Sequence, residues 1–210
     1  MQKLDFISIS EGDSEKAVVF IHGWKGNKNS FTSLPSMLKL DSTTWYFPEA
    51  PYILEDNNKF KSWAYEKEDG IFETEKSKLL LNDFLLKNVL NKFLPENVFF
   101  IGFSQGATVC YEFILNLEYP WGGVFPVAGF FRDWNKGITL HPVQKKTMIF
   151  IGHGITDRII NVSESENIYK YLSKRKYNCK LMKYNGGHKI SIDYLREVKK
   201  YILNKYEQKL

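Results

Sequence analysis

An apolar, strand-like segment passes directly into a helix-like one in the run Val98-Phe99-Phe100-Ile101-Gly102-Phe103-Ser104-Gln105-Gly106. Glycines on both sides of a serine let a strand and a helix approach closely at a sharp turn, whose central residue has a strained backbone. We therefore predict a strand, a turn and a helix here. The Ser104 hydroxyl is expected at the carboxyl end of the strand, as the candidate nucleophile.

Composition and length limit the possible classes of protein. The chain has 210 residues, of which 43% are hydrophobic, and this suits one domain over residues 1–210 with a substantial core. The net charge is +5, but the densest basic runs coincide with helix-patterned segments, where Lys normally faces solvent. We therefore predict no nucleic-acid partner. No run resembles a signal peptide or a transmembrane span, which predicts a cytoplasmic protein with no integral membrane association.

Apolar runs alternate with helical patterns along the whole chain, and this alternation indicates an α/β fold. The predicted strands are Phe6–Ser10, Ala17–Ile21, Thr43–Phe47, Val98–Ile101, Gly123–Val127, Thr147–Ile151 and Cys179–Tyr184. The predicted helices are Asn29–Leu40, Lys76–Phe93, Gln105–Leu117, Ser163–Lys174 and Ile190–Tyr206. Continuous apolar strands are typical of a parallel sheet covered on both faces. We predict a mostly parallel central sheet with helices on both faces and no separate lid domain, with ligands beyond the carboxyl ends of the strands.

The second candidate element of a site is His22-Gly23-Trp24, which follows the first buried strand. Acyl transfer needs backbone N–H donors for the negative oxygen of a tetrahedral intermediate, and one such donor is worth about 3 kcal/mol. We assign this oxyanion hole to the backbone N–H groups of Trp24 and Gln105, since Gln105 follows the nucleophile and begins a helix. The His22 side chain is predicted to be structural.

An acid and a base follow Ser104 in the chain. Asp157 lies in a glycine-containing turn after a predicted strand, although an isolated Asp there is more often a turn or helix cap. His188 follows Gly186-Gly187, which we expect to form a tight turn that projects the imidazole. The order Ser104, Asp157, His188 is that of the catalytic triad in α/β-hydrolases, and this order favours catalysis over the capping alternative. His141 and His153 are weaker candidates for the base.

A metal site is the competing interpretation of the same polar residues. His22, His153, His188 and Asp157 contain no pair at the local spacing that zinc sites use. Cys110 and Cys179 belong to no metal-ligand spacing or disulfide framework, and both are expected to be reduced. We predict no metal and no cofactor, because a serine triad requires neither.

With these residues identified, the chain resembles the phospholipase/carboxylesterase family of α/β-hydrolases, which includes acyl-protein thioesterases and small bacterial carboxylesterases. The resemblance spans nearly the whole chain. Its specific parts are the Gly-Phe-Ser-Gln-Gly elbow at 102–106 and Phe47-Pro48-Glu49-Ala50-Pro51. Less specific matches are the His-Gly turn at 22–23, Ser62-Trp63, the acid loop at 153–157 and the base loop at 186–188.

The chain departs from the family pattern where a substrate is expected to bind. The oxyanion loop has Trp24-Lys25-Gly26, Trp63 is followed by Ala64-Tyr65, and Phe130 and Phe131 follow Ala128-Gly129. Trp24, Trp63, Phe130 and Phe131 are candidates for an apolar acyl pocket. The alternative is that they are ordinary core aromatics, which applies least to Trp24.

The resemblance and the residues together imply a serine carboxylesterase. It would hydrolyse carboxylic esters or thioesters of small or acyl-chain substrates through an acyl-enzyme intermediate. Lysophospholipase and acyl-protein thioesterase activities are alternatives, and a catalytically silent binding scaffold is a further one. The expected partner is a small-molecule or lipid-like ester, and the expected assembly is a monomer or a homodimer.

Overall fold

A seven-stranded sheet forms the centre of the protein in a computed structural model that describes residues 3–10, 12–54, 59–68, 70–132 and 140–207. The strands, in chain order, are β1 Phe6–Ser10, β2 Lys16–Ile21, β3 Thr43–Pro48, β4 Tyr52–Leu54, β5 Phe60–Ser62, β6 Tyr65–Glu68, β7 Ile71–Glu73, β8 Val98–Phe103, β9 Gly123–Val127, β10 Ile149–Gly154 and β11 Cys179–Tyr184. The order across the main sheet is β1-β3-β2-β8-β9-β10-β11. Strand β1 pairs with β3 in the antiparallel direction, and every other pair in this sheet is parallel.

The predicted α/β fold is confirmed, and all seven predicted strands lie in this sheet. The bounds of β1, β9 and β11 are those predicted from the sequence. Strand β10 begins and ends later than predicted, so the Gly152-His153-Gly154 segment is part of the strand. The acid loop therefore begins at Ile155.

Alternate residues of the central strands enter two separate hydrophobic cores. In β2, Val19 and Ile21 face one core, whereas Val18 and Phe20 face the other. Side chains of a strand point alternately to the two faces of its sheet, so the continuous apolar run is buried on both sides. Helices α2 (Glu75–Phe84), α3 (Gln105–Glu112) and α4 (Val162–Lys174) cover the first core, and α1 (Leu34–Leu38) and α5 (Ile192–Glu207) cover the second.

Two predicted helices are shorter or less regular than the hydrophobic pattern indicates. Only Leu34–Leu38 is helical in the predicted segment 29–40, because Asn27 and its neighbours form side-chain-capped turns and Phe31 has φ of 67°. In the predicted segment 76–93, α2 passes into a π-helical turn over Leu85–Val89. The stripe of Leu81, Leu85 and Val89 is nevertheless buried as predicted.

Two small hairpins between β3 and α2 were not predicted from the sequence. Strand β4 pairs with β5, and β6 pairs with β7. Residues 65–68 are exposed and mostly charged, so they lack the alternation that indicates a half-buried strand. The first of these hairpins places Ser62 and Trp63 next to the candidate site.

Candidate active site

The turn at Ser104 has the strained geometry that its flanking glycines predict. Ser104 has φ of 54° and ψ of −117°, and its N–H donates to the carbonyl oxygen of Val127 at 2.8 Å. A Cβ on Gly106 would lie 2.0 Å from the carbonyl oxygen of Ile21, and one on Gly102 would lie 2.5 Å from that of Gly106. Only glycine therefore allows α3 to pack so closely against β2 and β8.

Three residues from separate loops meet at the carboxyl edge of the sheet. The Oγ of Ser104 lies 3.0 Å from Nε2 of His188, and Nδ1 of His188 lies 2.7 Å from Oδ2 of Asp157. The Asp157 side chain is fully buried, whereas that of His188 is 19% exposed. With Nδ1 protonated, the imidazole donates to Asp157 and can accept the Ser104 proton at Nε2. The three residues predicted from chain order thus form a continuous hydrogen-bonded chain.

The Asp157 carboxylate is held by hydrogen bonds on both oxygens. Burial raises the pKa of Asp157, but the hydrogen bond from His188 and the N–H groups of Ile160 and Ile159 lower it, and the result lies below its ordinary value of 3.8. The N–H of Ile159 donates to Oδ1 at 2.8 Å, and that of Ile160 donates to the same oxygen at 3.0 Å. Asp157 therefore remains a carboxylate at neutral pH and orients the imidazole.

The other two candidate bases make different contacts. His153 is fully buried, with Nδ1 2.6 Å from Oγ of Ser165 and Nε2 2.9 Å from the carbonyl oxygen of Ile160. Its Nε2 also lies 3.4 Å from Oδ2 of Asp157, so it packs behind the acid. His141 accepts the N–H of Val143 at Nδ1 and begins a 3₁₀ turn. Neither imidazole has a described hydrogen bond to Ser104.

The oxyanion loop is supported by a buried, neutral histidine. His22 donates from Nδ1 to the carbonyl oxygen of Gly23 at 2.7 Å and accepts the N–H of Ala50 at Nε2 at 3.0 Å. Burial lowers the pKa of His22 to about 4. This structural arrangement agrees with the prediction for its side chain, since both ring nitrogens contact backbone groups.

Both predicted oxyanion donors have backbone N–H groups available for a ligand. Within the described residues, no hydrogen bond occupies the N–H of Trp24 or of Gln105. A Cβ on Gly23 would lie 3.2 Å from the Ser104 Cβ, so the loop and the elbow are in close contact. Gln105 is the first residue of α3, where the helix dipole favours negative charge.

The predicted pocket aromatics differ in their exposure. Trp24 is 59% exposed, Phe130 is half-buried, Phe131 is 8% exposed and Trp63 is fully buried. Phe131 packs against Tyr111 with ring centroids 5.0 Å apart. The burial of Trp63 and Phe131 favours the core alternative for these two residues, and leaves Trp24 and Phe130 accessible to a substrate.

Comparison with known proteins decides the family. A family model described as phospholipase/carboxylesterase matches residues 3–205. The chain belongs to the phospholipase/carboxylesterase family. Acyl-protein thioesterase 1 of Candida albicans is 33% identical over 95% of this chain and 96% of its own length. The carboxylesterase SOBER1 of Arabidopsis thaliana is 24% identical over 88% of each chain.

Solved structures share the fold of this phospholipase/carboxylesterase family member. The crystal structure of esterase PE8 superposes with a TM-score of 0.81 at 20% identity and covers 97% of this chain and 99% of its own. The crystal structure of acyl-protein thioesterase 2 of Zea mays superposes with a TM-score of 0.74 at 18% identity and covers 96% of this chain and 98% of its own. The prediction of an α/β-hydrolase fold is thus confirmed, as is that of an ester hydrolase at the level of the family.

Three features of this family member were not found from its sequence. The glycine needed for the base loop is Gly154, where a Cβ would lie 2.3 Å from the carbonyl oxygen of Gly186. Ile155 and Ile159, on either side of Asp157 in the chain, are 52% and 71% exposed. The Gln105 side chain forms hydrogen bonds with Ser62 and with the backbone N–H of Trp63. The roles of Gly154 and of the Gln105 side chain show no pattern in the sequence, because both depend on contacts between distant segments.

Metal sites and membrane-spanning helices are two further classes of feature. Among these residues, no three His, Cys, Asp or Glu side chains are grouped so that they could hold a metal ion. Within the same part of the chain, each helix is too short or too polar to cross a bilayer.

Proposed function

We propose that this protein is a serine hydrolase of carboxylic esters and thioesters that works through an acyl-enzyme on Ser104. The observation that carries the proposal is the hydrogen-bonded chain from Ser104 through His188 to Asp157, with separations of 3.0 Å and 2.7 Å. These separations lie within the range that proton transfer between a nucleophile and its base requires.

In the acylation step, His188 Nε2 takes the proton of Ser104 as Oγ attacks the carbonyl carbon. Asp157 remains a carboxylate and stabilises the imidazolium that forms. The oxygen of the tetrahedral intermediate accepts hydrogen bonds from the N–H groups of Trp24 and Gln105. His188 then gives its proton to the leaving alcohol or thiol, and the acyl group stays on Ser104.

Deacylation repeats these steps with water in place of Ser104. His188 takes a proton from the water, whose oxygen attacks the acyl carbon. The second tetrahedral intermediate collapses, and Ser104 recovers a proton from His188 as the carboxylic acid leaves. The whole cycle uses three side chains, of which Ser104 and His188 exchange the proton, and two backbone donors.

A lipid-like acyl substrate is supported by the exposed apolar residues around the triad. Trp24 lies in the oxyanion loop, and Ile155 and Ile159 lie in the acid loop. Acyl-protein thioesterase as the specific activity is supported by the Candida albicans relative at 33% identity. Lysophospholipase activity is the alternative among acyl substrates. Cytoplasmic location and assembly as a monomer or homodimer stay predictions from the sequence.

A panel of substrates tests the proposal. Kinetics would be measured with p-nitrophenyl esters of increasing acyl length, an S-acylated peptide and a lysophospholipid, each with wild type and with Ser104→Ala. We expect kcat/KM to rise with acyl length and Ser104→Ala to lose about 10⁶-fold in kcat, as a lost serine nucleophile does elsewhere. Activity that survives in Ser104→Ala would contradict the mechanism, and indifference to acyl length would contradict the apolar site.

A further inference from the structure

A short segment, residues 61–63, connects the two halves of the proposed oxyanion hole. We call it the bridge segment. On one side its backbone pairs with the oxyanion loop, because the N–H of Lys25 donates to the carbonyl oxygen of Lys61 at 3.0 Å and the N–H of Lys61 donates to that of Gly26 at 3.2 Å. These two bonds hold the residues that directly follow Trp24, the residue assigned as one of the donors.

The indole of Trp63 makes a second connection to the same loop. Its Nε1–H donates to the carbonyl oxygen of His22 at 3.0 Å, and the ring lies 5.2 Å from the His22 imidazole between centroids. Trp63 is fully buried, so this bond has no competition from solvent. The carbonyl of His22 is two residues before the Trp24 N–H, and the indole thus fixes the start of the loop.

The side chain of Gln105 connects the bridge segment to the elbow helix. Its Oε1 accepts the N–H of Trp63 at 3.0 Å, and its Nε2 donates to Oγ of Ser62 at 2.9 Å. The Ser62 hydroxyl donates in turn to the carbonyl oxygen of Ala64 at 2.7 Å. The backbone N–H of Trp63 requires an acceptor, so the amide of Gln105 has only one orientation that satisfies these bonds.

We propose that Gln105, through its side chain, and Trp63 are positioning residues that set the spacing between the N–H groups of Trp24 and Gln105. Neither side chain touches the reacting atoms in this arrangement. The inference rests on the proposed function, because it assumes that these two N–H groups stabilise the oxyanion. It assigns a role to a segment that contributes no group to the triad or to the oxyanion hole itself.

The physical basis is that an oxyanion hole must be preorganised. Its donors are effective only when they already lie at hydrogen-bond distance from the oxygen of the transition state, and a displacement of about 1 Å costs on the order of 100-fold in rate. The loop around Trp24 is exposed, so contacts from the buried side must fix its position. The bridge segment supplies these contacts at both ends.

Trp63→Phe and Trp121→Phe form a matched pair for the test. Each removes a buried indole N–H from a backbone carbonyl, since Trp121 is 1% exposed and donates to the carbonyl oxygen of Ile114 at 2.9 Å. Trp121 has no described contact with the triad or the oxyanion loop. The two variants should lose similar amounts of stability, which equilibrium unfolding would measure.

Their kinetics should differ. We expect Trp63→Phe to lose about 10-fold to 100-fold in kcat with KM within about threefold of wild type, and Trp121→Phe to keep kcat within about twofold. The inhibition constant of a trifluoromethyl ketone, which forms a tetrahedral adduct, should rise in Trp63→Phe by the factor that kcat/KM falls. Wild-type kcat in folded Trp63→Phe, or an equal loss of kcat in both variants, would overturn the proposal.

Gln105→Met provides a second variant that keeps the backbone N–H and the length of the side chain. As with Trp63→Phe, we expect kcat to fall by about 10-fold to 100-fold and KM to stay within about threefold of wild type. An unchanged kcat in Gln105→Met would overturn the proposal even if Trp63→Phe failed to fold. Reaction with a fluorophosphonate separates this outcome from a failure of the proposed function. If Ser104 is the nucleophile, both variants should still reach one label per chain, but more slowly than wild type. If it is not, wild type itself would remain unlabelled at Ser104.

Discussion

Glycine pairs stand beside both Ser104 and His188, but only the pair around Ser104 lies where a side chain cannot fit. A Cβ on Gly106 would lie 2.0 Å from a backbone oxygen, whereas one on Gly187 would meet no atom nearer than 3.8 Å. Gly186 and Gly187 also lack the positive φ that would require glycine. In the nucleophile half of the candidate site, residues 102–106, the glycines beside the serine are therefore fixed by close backbone contact. In the base half, residues 154–157 and 186–188, that contact is made at Gly154, and His188 itself is held by a side-chain hydrogen bond.

This difference teaches that the same letters in a sequence can have unlike physical causes. The tight turn expected at Gly186-Gly187 is present, since the N–H of Lys189 donates to the carbonyl oxygen of Gly187 at 2.8 Å, but neither glycine has the positive φ that would require glycine there. The imidazole is oriented by Asp157, which is itself fixed by the N–H groups of Ile159 and Ile160. An added methyl group should thus damage the nucleophile half at Gly106 but not the base half at Gly187, where the loss of a hydrogen bond to His188 should cause the damage.

The largest expected effect is in the base half, for Asp157→Asn. The Asn oxygen can still accept from Ile159 and Ile160, which places the amide NH₂ against Nδ1 of His188. The imidazole would then carry its proton on Nε2 and could not accept the one from Ser104. We expect a loss of about 10⁴-fold in kcat, as this change causes in serine proteases, with the fold retained. A loss of less than about 10-fold, measured on protein with native circular dichroism, would contradict the role of Asp157.

The next effect is in the nucleophile half, for Gly106→Ala. The added methyl group would overlap the carbonyl oxygen of Ile21, and a backbone clash of this kind cannot be relieved by a rotamer change. We expect the free energy of unfolding to fall by about 4 kcal/mol or more. Gly187→Ala is the matched control and should change it by less than about 1 kcal/mol. Equal losses in urea-induced unfolding would contradict the comparison between the two halves.

The third effect concerns the buried His22 that supports the oxyanion loop. Its folded pKa of about 4 lies below its ordinary value of 6.5, so the unfolded chain binds the proton more readily between these values. The free energy of unfolding should therefore fall as the pH drops from 6.5 to 4, by about 3 kcal/mol from this residue, and not further below pH 4. His22→Gln should remove that part of the slope. Parallel curves of wild type and variant between pH 7 and 4 would contradict the buried, neutral state of His22.

The smallest effect compares backbone strain at the two proposed catalytic residues. Ser104 has φ of 54°, whereas His188 is absent from the residues with positive φ. Because glycine tolerates this conformation, Ser104→Gly should be more stable than Ser104→Ala by about 1 kcal/mol. At His188 we expect the opposite order, with His188→Ala more stable than His188→Gly. Glycine there relieves no strain in the folded state and raises the conformational entropy of the unfolded chain. Thermal unfolding of the four variants measures both differences, and the same order at both positions would contradict the strained elbow.

The sequence was sufficient for the sheet and for the three polar residues that meet at its carboxyl edge, because each follows a strand that the sequence indicates. Buried strands such as Val98–Phe103 are continuous apolar runs, and Ser104 and Asp157 each follow one, whereas His188 follows the partly exposed edge strand Cys179–Tyr184. The β6–β7 hairpin was missed because β6 is exposed and mostly charged and β7 has only three residues. Contacts between distant segments, such as Gly154 against Gly186, leave no periodic pattern and could not be predicted.

The most direct measurement of the central claim is labelling of the folded protein with a fluorophosphonate, followed by intact mass and peptide mapping. The hydrogen-bonded chain of Ser104, His188 and Asp157 predicts one adduct per chain on Ser104 in wild type and none in Ser104→Ala. A wild type that does not react, or a Ser104→Ala variant that is labelled as fast and as fully, would contradict the assignment of Ser104 as the nucleophile.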